Sequence, residues 1–245
     1  GKARVASVVN VPESSIARES DVVLPIHAGA EIGVASTKAF TCQLATLLIF
    51  ALAAAEARGR LSLGDRRHHV AALQALPGIV SQALSIEAAA HTISTQLAEA
   101  RDILFLGRGR MFPIAHEGAL KLKEISYIHA EAYASGELKH GPIALVDPTV
   151  PVIVMAPHDE LFDKTVSNMQ EVMARDGRVL LISDAAGIAA AGAGTWATLK
   201  MHDIAPILAP ILYAIPAQLL AYHTAIAKGT DVDQPRNLAK SVTVE

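Results

Sequence analysis

The stretch Glu117-Gly118-Ala119-Leu120-Lys121-Leu122-Lys123-Glu124 sets two carboxylates and an ammonium four and three residues apart. On a helix, Glu117, Lys121 and Glu124 would share one stripe. Such a stripe has two readings. On a solvated face it is a row of ion pairs without chemistry. In a cleft, the lysine holds a carboxylate in place and that carboxylate can act as a base. His140, in Gly136-Glu137-Leu138-Lys139-His140-Gly141-Pro142, has glycines close on either side, a mobile setting for an acid/base group. Most histidines so placed are plain loop residues. The last stretch, Gly229 to Glu245, carries Arg236 and Lys240. A lysine near a chain end is ordinarily a solvated charge. In a tail folded over a site it becomes an amine for imine chemistry, with Arg236 as a neighbouring cation that favours the uncharged form. Gly107-Arg108-Gly109 lacks the full dinucleotide pattern and the Walker lysine, and a tight turn accounts for it about as well as a phosphate cradle.

These groups need elements to position them. Val5 to Val9 and Asp21 to Ile26 are short β-branched runs that read as buried parallel strands. A helix from about Thr37 to Arg58 follows, ended by Gly59, and Leu61 to Ala100 is mostly helical with a break at Pro77-Gly78. Strands are expected at Ile103 to Leu106, Pro151 to Ala156 and Val179 to Ser183, with a weaker one at Thr198 to Met201. Helices are expected from near Pro113, over Asp159 to Arg175, and from about Ala205 to Lys228. This alternation predicts α/β architecture with doubly wound parallel sheets. Gln43-Leu44 before Gly59, and Gln218-Leu219 before Gly229, hint at a duplicated plan.

Composition narrows the classes. With 21 Lys+Arg against 24 Asp+Glu, the charge balance suggests neither a nucleic-acid partner nor an anionic membrane surface. The apolar stretch Phe40 to Ala55 is interrupted by Thr41, Gln43 and Thr46 and reads as a buried helix rather than a membrane span. Cys42 stands alone, so no internal disulfide forms; it reads as a small buried hydrophobe, and the chain suits a reducing, cytoplasmic setting. The ten histidines show no ligand spacing: His68 and His69 are adjacent, and no HExxH or cysteine cluster occurs. No metal is expected, and no PLP motif is visible.

Three stretches carry a resemblance: Ala28-Gly29-Ala30-Glu31-Ile32-Gly33-Val34-Ala35-Ser36-Thr37-Lys38-Ala39-Phe40, Glu117 to Gly141, and Asp231 to Glu245. Together they resemble the isomerase half of the glucosamine-6-phosphate synthases, the isomerising glutamine–fructose-6-phosphate aminotransferases. The terminal Lys240-Ser-Val-Thr-Val-Glu245 is particularly diagnostic. The resemblance implies two sugar-isomerase (SIS) modules. Residues 1–75 would be the remainder of a first, N-terminally truncated module, 76–228 a second with leading helices, and 229–245 an active-site tail. The family's Ser-x-Ser-Gly-x-Thr phosphate loop and its glutaminase domain are absent from this sequence.

By resemblance, Lys240 forms an imine with the ketone of open-chain fructose 6-phosphate and Glu124 moves a proton between C1 and C2. His140 assists ring opening from the neighbouring subunit of a homodimer, and Lys121 and Glu117 support the reacting oxygens. Val34, Ser36, Ala239 and Arg236 are expected to contact the sugar. No cofactor is implied. The partners implied are fructose 6-phosphate or glucosamine 6-phosphate and the glutaminase domain of a longer chain. Two other readings compete: a stand-alone SIS deaminase or deglycase of amino-sugar phosphates, and a non-catalytic SIS sugar-phosphate sensor. Glu124, His140 and Lys240 together disfavour the sensor, and the tail favours the synthase over the deaminase.

Overall fold

The computed structural model describes residues 3–240. The chain divides into two compact units, Gly1–Gln74 and Ala75–Glu245. In the first, β1 (Ala6–Val9) is followed by a short helix α1 (Ser15–Arg18), β2 (Val22–Pro25) and α2 (Lys38–Ala57). The strands pair in parallel, Ala6 opposite Val22 and Val9 opposite Pro25. Beyond β2, a loop carries the stretch from Ala28 to Thr37. Asn10 fixes its start, donating to the Gly29 carbonyl at 2.7 Å and accepting from the Ala28 amide at 3.0 Å.

A helix α3 (Leu63–Ala83) runs across the boundary between the units. It contains Pro77, so the expected break there is wrong. Pro77 and Gly78 are exposed, and water can satisfy the Leu73 carbonyl that loses its helical donor. The break comes instead at a 3₁₀ turn, Leu84–Ile86.

The second unit continues with α4 (Glu87–Leu97), β3 (Asp102–Gly107), α5 (Met111–Ser126), β4 (His129–Ala134) and β5 (Pro151–Met155). It ends with α6 (Phe162–Met173), β6 (Arg178–Asp184), α7 (Ala185–Ala191), β7 (Ala197–Met201) and α8 (Ala209–Lys228). The five strands form one parallel sheet in the order β4-β3-β5-β6-β7. From β3 the chain steps outward to β4, then returns across β3 to β5. The strand order therefore reverses between β3 and β5, where sheets of this kind leave a crevice at the carboxyl ends. Leu104, Leu106, Val152, Val154, Val179 and Leu181 pack with Phe162, Met169 and Val172 of α6 on one face. On the other, Phe105 faces Gly118 of α5, and Ala217 of α8 approaches the same glycine. Both faces are covered, which is why these strands read as unbroken apolar runs rather than alternating ones.

Sequence did not anticipate β4, since alanine and glutamate are poor strand formers. Pairing with β3 from Asp102↔His129 to Gly107↔Ala134 imposes it. It also missed α7, a run rich in small residues that Asp184 caps by accepting the Gly187 amide at 2.8 Å.

The helix α2 corrects a further expectation. It has no buried residue. A two-stranded sheet offers too little surface to enclose a 20-residue apolar helix, so Leu47, Ile49 and Phe50 remain exposed. Cys42, expected to be buried, is only half-buried for the same reason. By length and composition alone, Lys38–Ala57, Leu63–Leu97 and Pro206–Lys228 are apolar enough to cross a membrane, so Phe40 to Ala55 belongs to a longer candidate span than its own boundaries suggest. Most of Pro206–Lys228 is buried in the second unit's core.

Candidate functional site

In α5 the buried positions are Met111, Ile114, Ala115, Gly118, Ala119, Lys121, Leu122, Ile125 and Ser126, the recurrence of one inward face. Lys121 falls within that face and is only 5% exposed. Its ammonium lies 2.5 Å from Glu124 Oε2 and 3.7 Å from Glu117 Oε1. The stripe expected from the spacing therefore forms, and it is an enclosed cluster rather than a solvated row. A lysine in such a place must be paired, because an unpaired buried charge is costly. Two carboxylates share one ammonium, so the cluster is one positive charge short. Burial accordingly raises the Glu117 carboxyl above its usual range; Lys121 opposes that rise, and the charge of Glu124 adds to it. Glu117 holds a proton more readily than an ordinary glutamate, and Glu124 keeps the short contact to the lysine.

Close packing sets where this helix lies. Gly107 ends β3 so near the start of α5 that a Cβ there would stand 2.3 Å from the Met111 carbonyl oxygen. Gly107 and Gly109 thus serve the turn into α5. Arg108 between them donates to Asn168 Oδ1 at 3.3 Å.

The helix stops at Tyr127, which is left-handed at φ 62°, ψ 14°. The tail comes to this same end. After α8 terminates at Gly229, Thr230 donates through Oγ1 to the Ile125 carbonyl at 2.6 Å. Asp231 accepts the amides of Asp233 and Gln234, which holds its carboxyl below the usual range and tightens a turn. Arg236 then lays its guanidinium over the Tyr127 ring, 4.2 Å from the centroid, while its backbone N–H donates to Tyr127 Oη at 2.7 Å. Ala239 and Lys240 follow and are exposed. The diagnostic run after Lys240 lies outside the described residues.

His140 stands elsewhere, at the end of a 3₁₀ run Ser135–His140 that follows β4. Its Nδ1 is 2.7 Å from Glu137 Oε2. If that nitrogen carries the hydrogen, Nε2 is the one left to exchange a proton. Leu138 anchors the loop in the core, and Lys139 bridges to Glu171 of α6 at 2.8 Å. Gly141 closes it at φ 141°, a conformation that side chains rarely adopt.

Val34 and Ser36 belong to the first unit. Both are half-buried, and Ser36 Oγ donates to Glu31 Oε2 at 3.0 Å. Glu31 also accepts the Thr37 amide at 2.9 Å, so this loop is organised by one carboxylate at the start of α2. Among the described residues, no group of three or more His, Cys, Asp or Glu side chains could hold a metal ion.

Comparison with known proteins bears on this arrangement. The family model described as "SIS domain" matches residues 1–53 and 96–228. This chain belongs to the SIS family. Among curated relatives, it is 60% identical over 245 residues to a Zymomonas mobilis protein named glutamine–fructose-6-phosphate aminotransferase [isomerizing]. A Rhizobium meliloti protein of the same name is 60% identical over 243 residues. The chain spans about 40% of the length of either relative. Among solved structures, the C-terminal domain of glucosamine-fructose-6-phosphate aminotransferase from Francisella tularensis matches with TM-score 0.91 and 48% identity. That match covers 94% of this chain and 64% of the other. Glucosamine-6-phosphate deaminase from Thermotoga maritima matches with TM-score 0.68 and 25% identity, covering 98% and 67%.

Proposed function

We propose that this chain is the sugar-phosphate isomerising part of a glutamine–fructose-6-phosphate aminotransferase, built from two SIS modules. Residues 1–75 would belong to one module, 76–228 to the other, and 229–245 to a tail that joins the site. The observation that carries the reading is the enclosed Glu117–Lys121–Glu124 cluster with the tail tied to the same helix end. Identity of 60% to the named relatives over almost the whole of this chain supports it, against 25% for the deaminase. The lone cysteine fits a cytoplasmic enzyme.

In this scheme the Lys240 amine attacks C2 of open-chain fructose 6-phosphate, and water leaves as the imine forms. Ammonia, released from glutamine by another domain of the full-length protein, displaces the lysine. Glu124 takes a proton from C1 and returns one to C2 while the C1 hydroxyl proton passes to the nitrogen, leaving an aldehyde at C1 and an amine at C2. Lys121 holds Glu124 in place throughout. His140 from a second subunit, with Glu137 behind it, moves the proton needed for ring opening. Val34, Ser36, Ala239, Arg236 and Glu117 contact or support the sugar. The chemistry is a proton shuttle and an imine, so no cofactor enters.

In the full-length enzyme, borohydride added with fructose 6-phosphate should trap an adduct at Lys240. Lys240→Arg should abolish trapping, because a guanidinium stays protonated. Glu124→Gln should still trap while C1–C2 proton exchange falls by about 10²-fold or more. An adduct on another lysine, or full synthesis by Lys240→Arg, would overturn the scheme.

A further inference from the structure

We propose that Tyr127 is a positioning residue that aims the tail carrying Lys240, an inference that rests on the imine reading above. Tyr127 occupies the left-handed position just past α5, where glycine is the favoured residue. A tyrosine there is conformationally costly, and a residue held in such a conformation points to a task that a glycine could not do. Here that task is visible: ring and hydroxyl both hold Arg236, by a guanidinium contact at 4.2 Å and by accepting its backbone amide at 2.7 Å. Thr230, bonded to the Ile125 carbonyl, fixes the near end of the same segment.

The consequence is a short leash. Tyr127 follows Glu124 by three residues, a helical rise of about 4.5 Å. Four residues separate Arg236 from Lys240, and four extended residues span at most about 14 Å. Anchoring the Arg236 backbone at the Tyr127 hydroxyl therefore confines the Lys240 backbone to within about 14 Å of that hydroxyl, which belongs to the residue one helical turn past the proposed base. Without the Tyr127 contacts the tail would be held only by Thr230, the Asp231 turn and the buried Pro235, none of which orients the segment from Arg236 onward, and loss of orientation of this kind slows the imine step. Tyr127 touches no reacting atom in this scheme; it acts through the tail.

Two variants of the full-length enzyme separate positioning from stability. Tyr127→Phe keeps the ring and loses the hydroxyl acceptor. Tyr127→Gly relieves the left-handed strain and removes both contacts. Hydrogen exchange should show the Arg236 amide losing protection in each. The rate of borohydride trapping at Lys240 should fall about tenfold in Tyr127→Phe and further in Tyr127→Gly, while KM for fructose 6-phosphate changes little. The Tyr127→Gly protein should melt no lower than wild type, which a merely structural role would not produce. Unchanged Arg236 protection, or wild-type trapping by both variants, would overturn the anchor. If the wild-type enzyme traps nothing at Lys240 while Arg236 protection still depends on Tyr127, the anchor stands and the imine reading falls.

Discussion

Lys121 is the residue on which the site's electrostatics turn. Its ammonium is buried and shared by two carboxylates, so removing it leaves both without a cation in a low-dielectric setting. Lys121→Met should destabilise the second unit by about 3–5 kcal/mol, measured by chemical denaturation. Glu117 gives a pH test with a definite sign. Burial, the largest influence, raises its folded-state pKa above the usual 4.5. Between the unfolded and folded values the native state then holds more protons, so stability falls as pH rises through that window. Its contribution is fully present below pH 4.5 and lost above the folded value. Glu117→Gln should flatten this slope, so melting curves of variant and wild type should separate as pH climbs from 4.5. Curves that stay parallel would mean that the carboxylate is well solvated. The spacing of the three residues was legible in sequence, whereas their burial was not. Burial depends on which face of α5 meets the sheet, and Lys121 lies in the middle of that face.

At the scale of elements, α5 is placed by contact rather than by its own propensity. Gly118 sits where a Cβ would come 2.8 Å from the Phe105 ring and 3.2 Å from Ala217 Cβ of α8. Phe105 is 1% exposed and has no room to move. Gly118→Ala should therefore cost about 1–3 kcal/mol through overpacking, even though alanine is the better helix former. A stability gain would show that the two helices can separate freely. Such close approach left little trace in the sequence beyond a glycine inside a helix. The long apolar runs of β3, β5 and β6 were readable because both their faces are buried. The edge strand β4 was not, because pairing with β3 makes it a strand against the preference of its alanines. Pro77 misled in the opposite direction: a proline on an exposed helix surface breaks one hydrogen bond without ending the helix. Tyr127 escaped notice because no sequence preference marks a tyrosine as left-handed. Only the tail folded against it gives the position a meaning.

At the scale of the whole molecule, the proposal requires more protein than this chain. Its relatives are about two and a half times as long, and their names call for glutamine. The proposal also requires a second subunit. His140 has its partner Glu137 and an exposed ring on a loop anchored by buried Leu138 and by the Lys139–Glu171 ion pair, an arrangement suited to presenting an imidazole outward. If that imidazole serves the neighbour's site, each site combines His140 from one chain with Glu124 and Lys240 from the other. Full-length His140→Ala and Glu124→Gln proteins should then each be nearly inactive. Mixed by unfolding and refolding together, half of the dimers should be heterodimers. In each heterodimer, one site carries both defects and the other carries none. Synthesis should return to about one quarter of the wild-type rate, the fraction of sites that are intact in a two-fold assembly. Residues acting within one chain give no such recovery, because every site in the mixture then lacks one group. Recovery near one quarter, with the refolded species dimeric by sedimentation, would establish the shared site; its absence from a well-folded mixed dimer would place His140 in its own chain's site or outside the reaction.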